Sequence, residues 1–123
     1  MPRGWVFLRV SGSFEVAVPQ DKVFRILHRS SEEYHQYAPS ALALHRRFAL
    51  EADTSLPGVL VVLNSGACWH AGDASHGEDS ALAYLTISPD LFGGARPWCR
   101  GILWGPRRAV YILDEERMEA AVA

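Results

Sequence analysis

Cys68, His70, Asp73, His76, Glu78 and Asp79 fall within the twelve residues CWHAGDASHGED. A thiolate, imidazoles and a carboxylate are the ligand types that zinc takes, three or four at a time. Cys68 and His70, two apart, share one side if the segment is a strand, and Asp73 and His76 can return toward them from a loop. The spacing C-x-H-x2-D-x2-H matches no metal motif with a known mechanism. Three readings stand. The segment is a metal site held by Cys68, His70, Asp73 and His76, a proton-transfer site using Cys68, His70 and Asp73, or a polar loop between two strands. No cofactor is implied.

A second chemistry-bearing stretch is FGGARPWCRGILWGPRR, residues 92–108, with Arg96, Arg100, Arg107 and Arg108 interleaved with Trp98 and Trp104. Guanidinium forks suit anions, glycines let backbone amides approach them, and indoles can stack a base. The glycines fit neither phosphate-loop nor dinucleotide patterns. The segment therefore reads as an anion-, nucleotide- or protein-binding face, or as a hairpin with its tryptophans packed inward.

Periodicity predicts the secondary structure around these residues. WVFLRV and FEVAV alternate around Ser11-Gly12, and Pro19 ends the run, which predicts a bent strand or a hairpin. In QDKVFRILHRSS, Asp21 is a helix N-cap and Val23, Phe24, Ile26 and Leu27 form a stripe at helical spacing. Ser30 and Glu33 resemble a capping box, so a short helix comes next over SEEYHQYA, closed by Pro39. Residues 41–52 fit period two, with a helix as the alternative. GVLVVLNSG is a buried strand, ACWHAG extends the sheet, and SALAYLTIS is a further strand. GILW and AVYIL form a hairpin around GPRR, and DEERMEAAVA is a terminal helix. Runs of strands with few helices predict an α+β fold, a curved antiparallel sheet covered by two or three helices, in a single domain over 1–123.

The N-terminal third resembles the START-like, or SRPBCC, helix-grip superfamily. The likeness lies in FEVAVPQDKVFRIL, a strand ending in Pro19 that runs into a helix, and in YHQYAPSALAL, where an aromatic and Pro39 come after a second helix. It spans residues 7 to about 48. Members of that family bind hydrophobic small molecules between a curved sheet and a long C-terminal helix, and some are cyclases or hydroxylase partners. The resemblance implies an apolar pocket between sheet and helices. It carries over no catalytic residue, and the terminal helix here is about ten residues long.

The 123 residues carry 12 Lys+Arg, 11 of them Arg, against 14 Asp+Glu, for a formal charge of −2. No global field draws such a chain to nucleic acid or an anionic membrane. No apolar run approaches a membrane span, and no signal-peptide pattern opens the chain, so the cytoplasm is the expected location and the two cysteines are expected to be free. The leading expectation is a pocket protein for a small hydrophobic molecule. The alternative is a non-enzymatic regulatory or viral/phage accessory protein that binds a protein, nucleotide or nucleic acid through 92–108. Exposed strand edges would permit a dimer.

Overall fold

Alternation in WVFLRVS and FEVAVP gives the first hairpin, β1 (Trp5–Ser11) and β2 (Phe14–Pro19). Its two-residue connection starts at Gly12, whose φ of 56° lies in the left-handed region that side chains with a Cβ avoid. The computed structural model describes residues 4–77, 83–86, 98–106 and 109–120. Pro19 ends β2 as expected, but no helix comes after it. Gln20–Lys22 make one tight turn, and β3 (Val23–His28) runs on as a strand. The apolar quartet Val23, Phe24, Ile26 and Leu27 fits either period, and a β-branched, aromatic segment goes to strand when a neighbour is there to pair with it. That neighbour is β5 (Val59–Leu63). Asn64 fixes the start of β3, donating its backbone N–H to Lys22 O and its side-chain amide to Asp21 O.

Helix α1 (Glu32–Tyr37) forms within the expected stretch, but its N-cap is Ser31 rather than Ser30, and no side-chain bond caps it. A tight turn over Ala38–Ser40 contains Pro39. Residues 41–52 divide between both alternatives: a two-residue strand, β4 (Leu42–Ala43), then a single helical turn, α2 (Leu44–Arg47). β6 (Cys68–Ala71) comes after β5 as expected. The polar stretch beyond it is not a loop at its start, because β7 (Asp73–Gly77) pairs along β1 from Arg9↔Asp73 to Trp5↔Gly77. β8 (Ala83–Thr86), the hairpin β9 (Cys99–Trp104) and β10 (Ala109–Leu113), and α3 (Glu115–Ala120) complete the described elements.

The strands form two sheets, ordered β7-β1-β2-β10-β9-β8 and β3-β5-β6-β4. Pairing is mostly antiparallel, with parallel joins at β10–β2 and β4–β6. The chain passes from the smaller sheet to the larger at Gly72. A Cβ there would lie 2.4 Å from Leu56 Cδ1 and 3.0 Å from Arg9 O, so a side chain at the crossing would displace Leu56 and crowd the Arg9 carbonyl. The result is a mostly β fold with few helices, and this corrects the expectation of one curved sheet under a helical cover.

Three apolar layers fill the spaces. Between the sheets lie Val6, Leu8, Val16 and Val18 from one side and Val59, Val61, Leu63 and Trp69 from the other. On the far face of the larger sheet Trp5, Phe7, Ala17, Leu103, Val110 and Ile112 cluster, with the Trp5 and Tyr84 rings stacked at 6.0 Å. On the far face of the smaller sheet Leu27, Leu60, Val62 and Cys68 meet Tyr34 and Tyr37 of α1. The space between α1 and its sheet is therefore packed with side chains, as is the layer between the two sheets.

The segment 49–58 carries little regular structure and is tied down by Asp53, whose carboxylate accepts from Gly12 N–H, Ser55 N–H and the Ser55 hydroxyl. The Ser55 hydroxyl first, then the Gly12 and Ser55 amides, hold the Asp53 pKa below the ordinary carboxylate range. A depressed folded-state pKa adds stability that is complete above the ordinary range and is lost as pH falls from that range through the lowered folded-state value. On acidification, amide exchange at Gly12 and Ser55 should rise before global unfolding, and Asp53→Asn should remove that pH step.

Candidate functional site

Sequence proximity does not become spatial proximity around Cys68. On β6, Trp69 and Ala71 face the layer between the sheets, so Cys68 and His70 share the opposite face, toward α1. His70 Nε2 lies 3.1 Å from Ala38 O. A carbonyl only accepts, so Nε2 carries the proton, and the ring also meets Tyr34 edge-on at 6.2 Å. His70 thus pins the end of α1 to the sheet. Asp73 and His76 sit on the other sheet, on opposite faces of β7. Asp73 pairs across from Arg9, and its Oδ1 accepts the Ala74 N–H. His76 pairs across from Val6, beside the edge of β3. Among the described residues no three His, Cys, Asp or Glu are grouped to hold a metal ion; Glu78 and Asp79 lie outside them.

Cys68 is 8% exposed, and burial pushes its thiol pKa up, so it is protonated near neutral pH. A neutral thiol is neither a good nucleophile nor a good ligand. Both cysteines are free and buried. Native protein should therefore leave Cys68 largely unmodified by iodoacetamide at pH 7.5, with rapid alkylation only after denaturation. Fast alkylation in the native state would mean an accessible thiolate.

The Arg/Trp segment divides. Trp98 is 6% exposed, with ring centroids 4.7 Å from Phe48 and 5.8 Å from Tyr111, so it is core and unavailable to a ligand. Arg100 is exposed but lines a cleft with Asp114, Glu115 and Glu116, so the field there is mixed, whereas the segment's own residues include no acid. Trp104 is 57% exposed, and its cross-strand neighbours are Ala109 on β10 and Ala83 on β8, too small to cover an indole. Arg96, Arg107 and Arg108 lie outside the described residues.

Other exposed features went unnoticed in the sequence. Phe24 is 60% exposed on β3, with the Arg25 guanidinium 5.5 Å from its ring centroid and ion-paired to Glu33. A cleft of about 450 Å³ brings His70 together with Arg29, His45, Arg46 and Asp53. Its polar residues come from four separate segments, a grouping that no local spacing encodes. It opens on the surface, as does a second cleft of about 500 Å³ beside Cys68.

Two close-packed β-sheets, few helices and surface-exposed aromatics define a β domain built around solid layers. No family model matches the chain, and no curated protein matches it in sequence. Among solved structures it is similar to the scaffolding protein TtCheW from Thermoanaerobacter tengcongensis, with a TM-score of 0.61 at 9% identity. The likeness covers 93% of this chain and 90% of that one. At that identity it establishes the fold alone. It replaces the helix-grip resemblance: the strand–Pro19 pattern is real, but the chain continues into β3 rather than into a gripping helix. With the helix-grip fold goes the apolar small-molecule pocket. No helix among the described residues is long and apolar enough to cross a membrane.

Proposed function

We propose that this chain is a non-enzymatic docking module that binds other proteins, a scaffold or adapter like its structural neighbour. The observation that carries this is Trp104, a large apolar side chain held out on a rigid strand between two alanines. Strand register fixes the face from which the indole projects, an indole has only two side-chain torsions to lose when a partner covers it, and tryptophan dominates the energetics of many interfaces. The near-complete overlap with a scaffolding protein's fold supports the same reading.

The test places a photo-crosslinking amino acid at position 104 and, as control, at position Glu15 on β2. A defined protein band from position 104 alone is the expected result. Crosslinks of equal yield from both positions, or none from 104, would overturn the assignment.

A further inference from the structure

A scaffold needs a second surface, and the outer edge of β3 has the features of one. The Leu63 N–H donates to Ala67 O at 2.8 Å, so the odd-numbered residues of β5 turn their backbone groups toward β6. By antiparallel alternation Leu60 and Val62 face β3, where they meet Leu27 and Arg25. Ile26 and His28 fall between those bonded pairs and direct their N–H groups off the sheet. The His28 carbonyl is already taken by the Ser31 N–H at 2.9 Å. β3 ends the sheet order, and among the described residues no strand lies beyond it.

Unpaired edges are usually short, charged or broken by proline. The opposite edge, β4, has two residues. β3 has six and a bulge between Val23 and Arg25, but beyond the bulge Ile26–His28 stand unprotected. Facing them is β7, the end strand of the other sheet. The two edges bound an open cleft of about 430 Å³ lined by Phe24, Ile26 and His28 on one side and Ala74 and His76 on the other. Arg25 also lines it, and no carboxylate does.

We propose that β3 accepts an extended, proline-free segment of a partner protein as an added strand. The segment would be apolar where it meets Phe24 and Ile26 and would carry Asp or Glu toward His28 and His76. Backbone bonds to the Ile26 and His28 amides supply affinity, and the cleft selects alternate side chains. The aspartate or glutamate is suited to the lining, which offers the two imidazoles as donors and no acid of its own, the Arg25 guanidinium being already paired with Glu33. The inference rests on the protein-docking reading, but the edge that accepts the strand, β3, lies on a different sheet from Trp104.

The test selects a phage-displayed library of random decapeptides on the full chain. Enriched sequences should lack proline and alternate apolar residues with Asp or Glu. A representative peptide should bind His28→Pro and His76→Glu each about tenfold or more weakly than wild type. His28→Pro removes an outward N–H at an exposed edge position and leaves the bonds to β5 in place. His76→Glu adds a repelling carboxylate from the other sheet, so the test survives if the proline variant fails to fold. No enrichment, basic or proline-rich winners, or equal binding to His76→Glu would overturn the proposal. So would a wild-type dimer by sedimentation that His28→Pro dissociates, since a second copy would then own the edge. Crosslinks at 104 that persist while the library yields nothing sink this inference alone; the reverse sinks only the Trp104 assignment.

Discussion

Replacing Trp69 by alanine is expected to cost about 3–5 kcal/mol of folding free energy. The indole is 1% exposed on β6, within the layer where valines and leucines of β1, β2 and β5 meet. It pairs across from Val61 on one side and Leu42 on the other, so its removal opens a void bounded by rigid strands. Strands held in register from both sides cannot collapse into such a void, so the cavity cost adds to the lost transfer energy. A domain this size is stable by only about 5–15 kcal/mol, so the melting midpoint should drop by roughly 10–20 °C. Urea unfolding checks it directly. A loss under about 1 kcal/mol would mean that the two sheets do not close over Trp69. Trp69→Phe should recover a large part of the loss, because the aromatic ring still fills the space.

Trp104→Ala should do the opposite. Folding stability should stay within about 0.5 kcal/mol of wild type, because an indole 57% exposed between alanines has little packing to lose. Affinity for the partner captured at position 104 should fall by about 2 kcal/mol, or roughly 30-fold. Binding by surface plasmon resonance and unfolding by urea, done on the same preparation, separate the two effects. Unchanged affinity would remove Trp104 from the interface. Because Arg100 lies beside Asp114, Glu115 and Glu116, the interaction should depend weakly on salt, unlike one driven by an acid-free arginine face.

The tryptophans show where sequence reasoning stops. Trp69, Trp98 and Trp104 all lie in or beside strand patterns, yet two are core and one is exposed. The alternation of CRGILW does separate odd from even residues, so the row Arg100, Ile102, Trp104 is legible as one face. What lies across that face is not, since the alanines opposite Trp104 arrive from β8 and β10. The 68–79 cluster fails for a related reason. Six polar residues in twelve look like one site, but Gly72 carries the chain from one sheet to the other partway through. His70 and Asp73 are consequently delivered to different layers.

β3 shows the limit of periodicity itself. VFRIL satisfies helical spacing and strand propensity together, and no local rule chooses between them. The apolar run at 59–63, the 99–113 hairpin and the short helices after Ser31 and Asp114 are written locally, in apolar patterning and turn residues, whereas the first segment fits a bent strand as well as the hairpin it forms. Pairing partners are another matter. That β7 joins β1, that β10 lies parallel to β2, and that solid layers rather than a hollow separate the sheets are decided by contacts between residues far apart in the chain. Burial of apolar surface is non-directional, so it demands a filled interior without specifying which distant strands fill it.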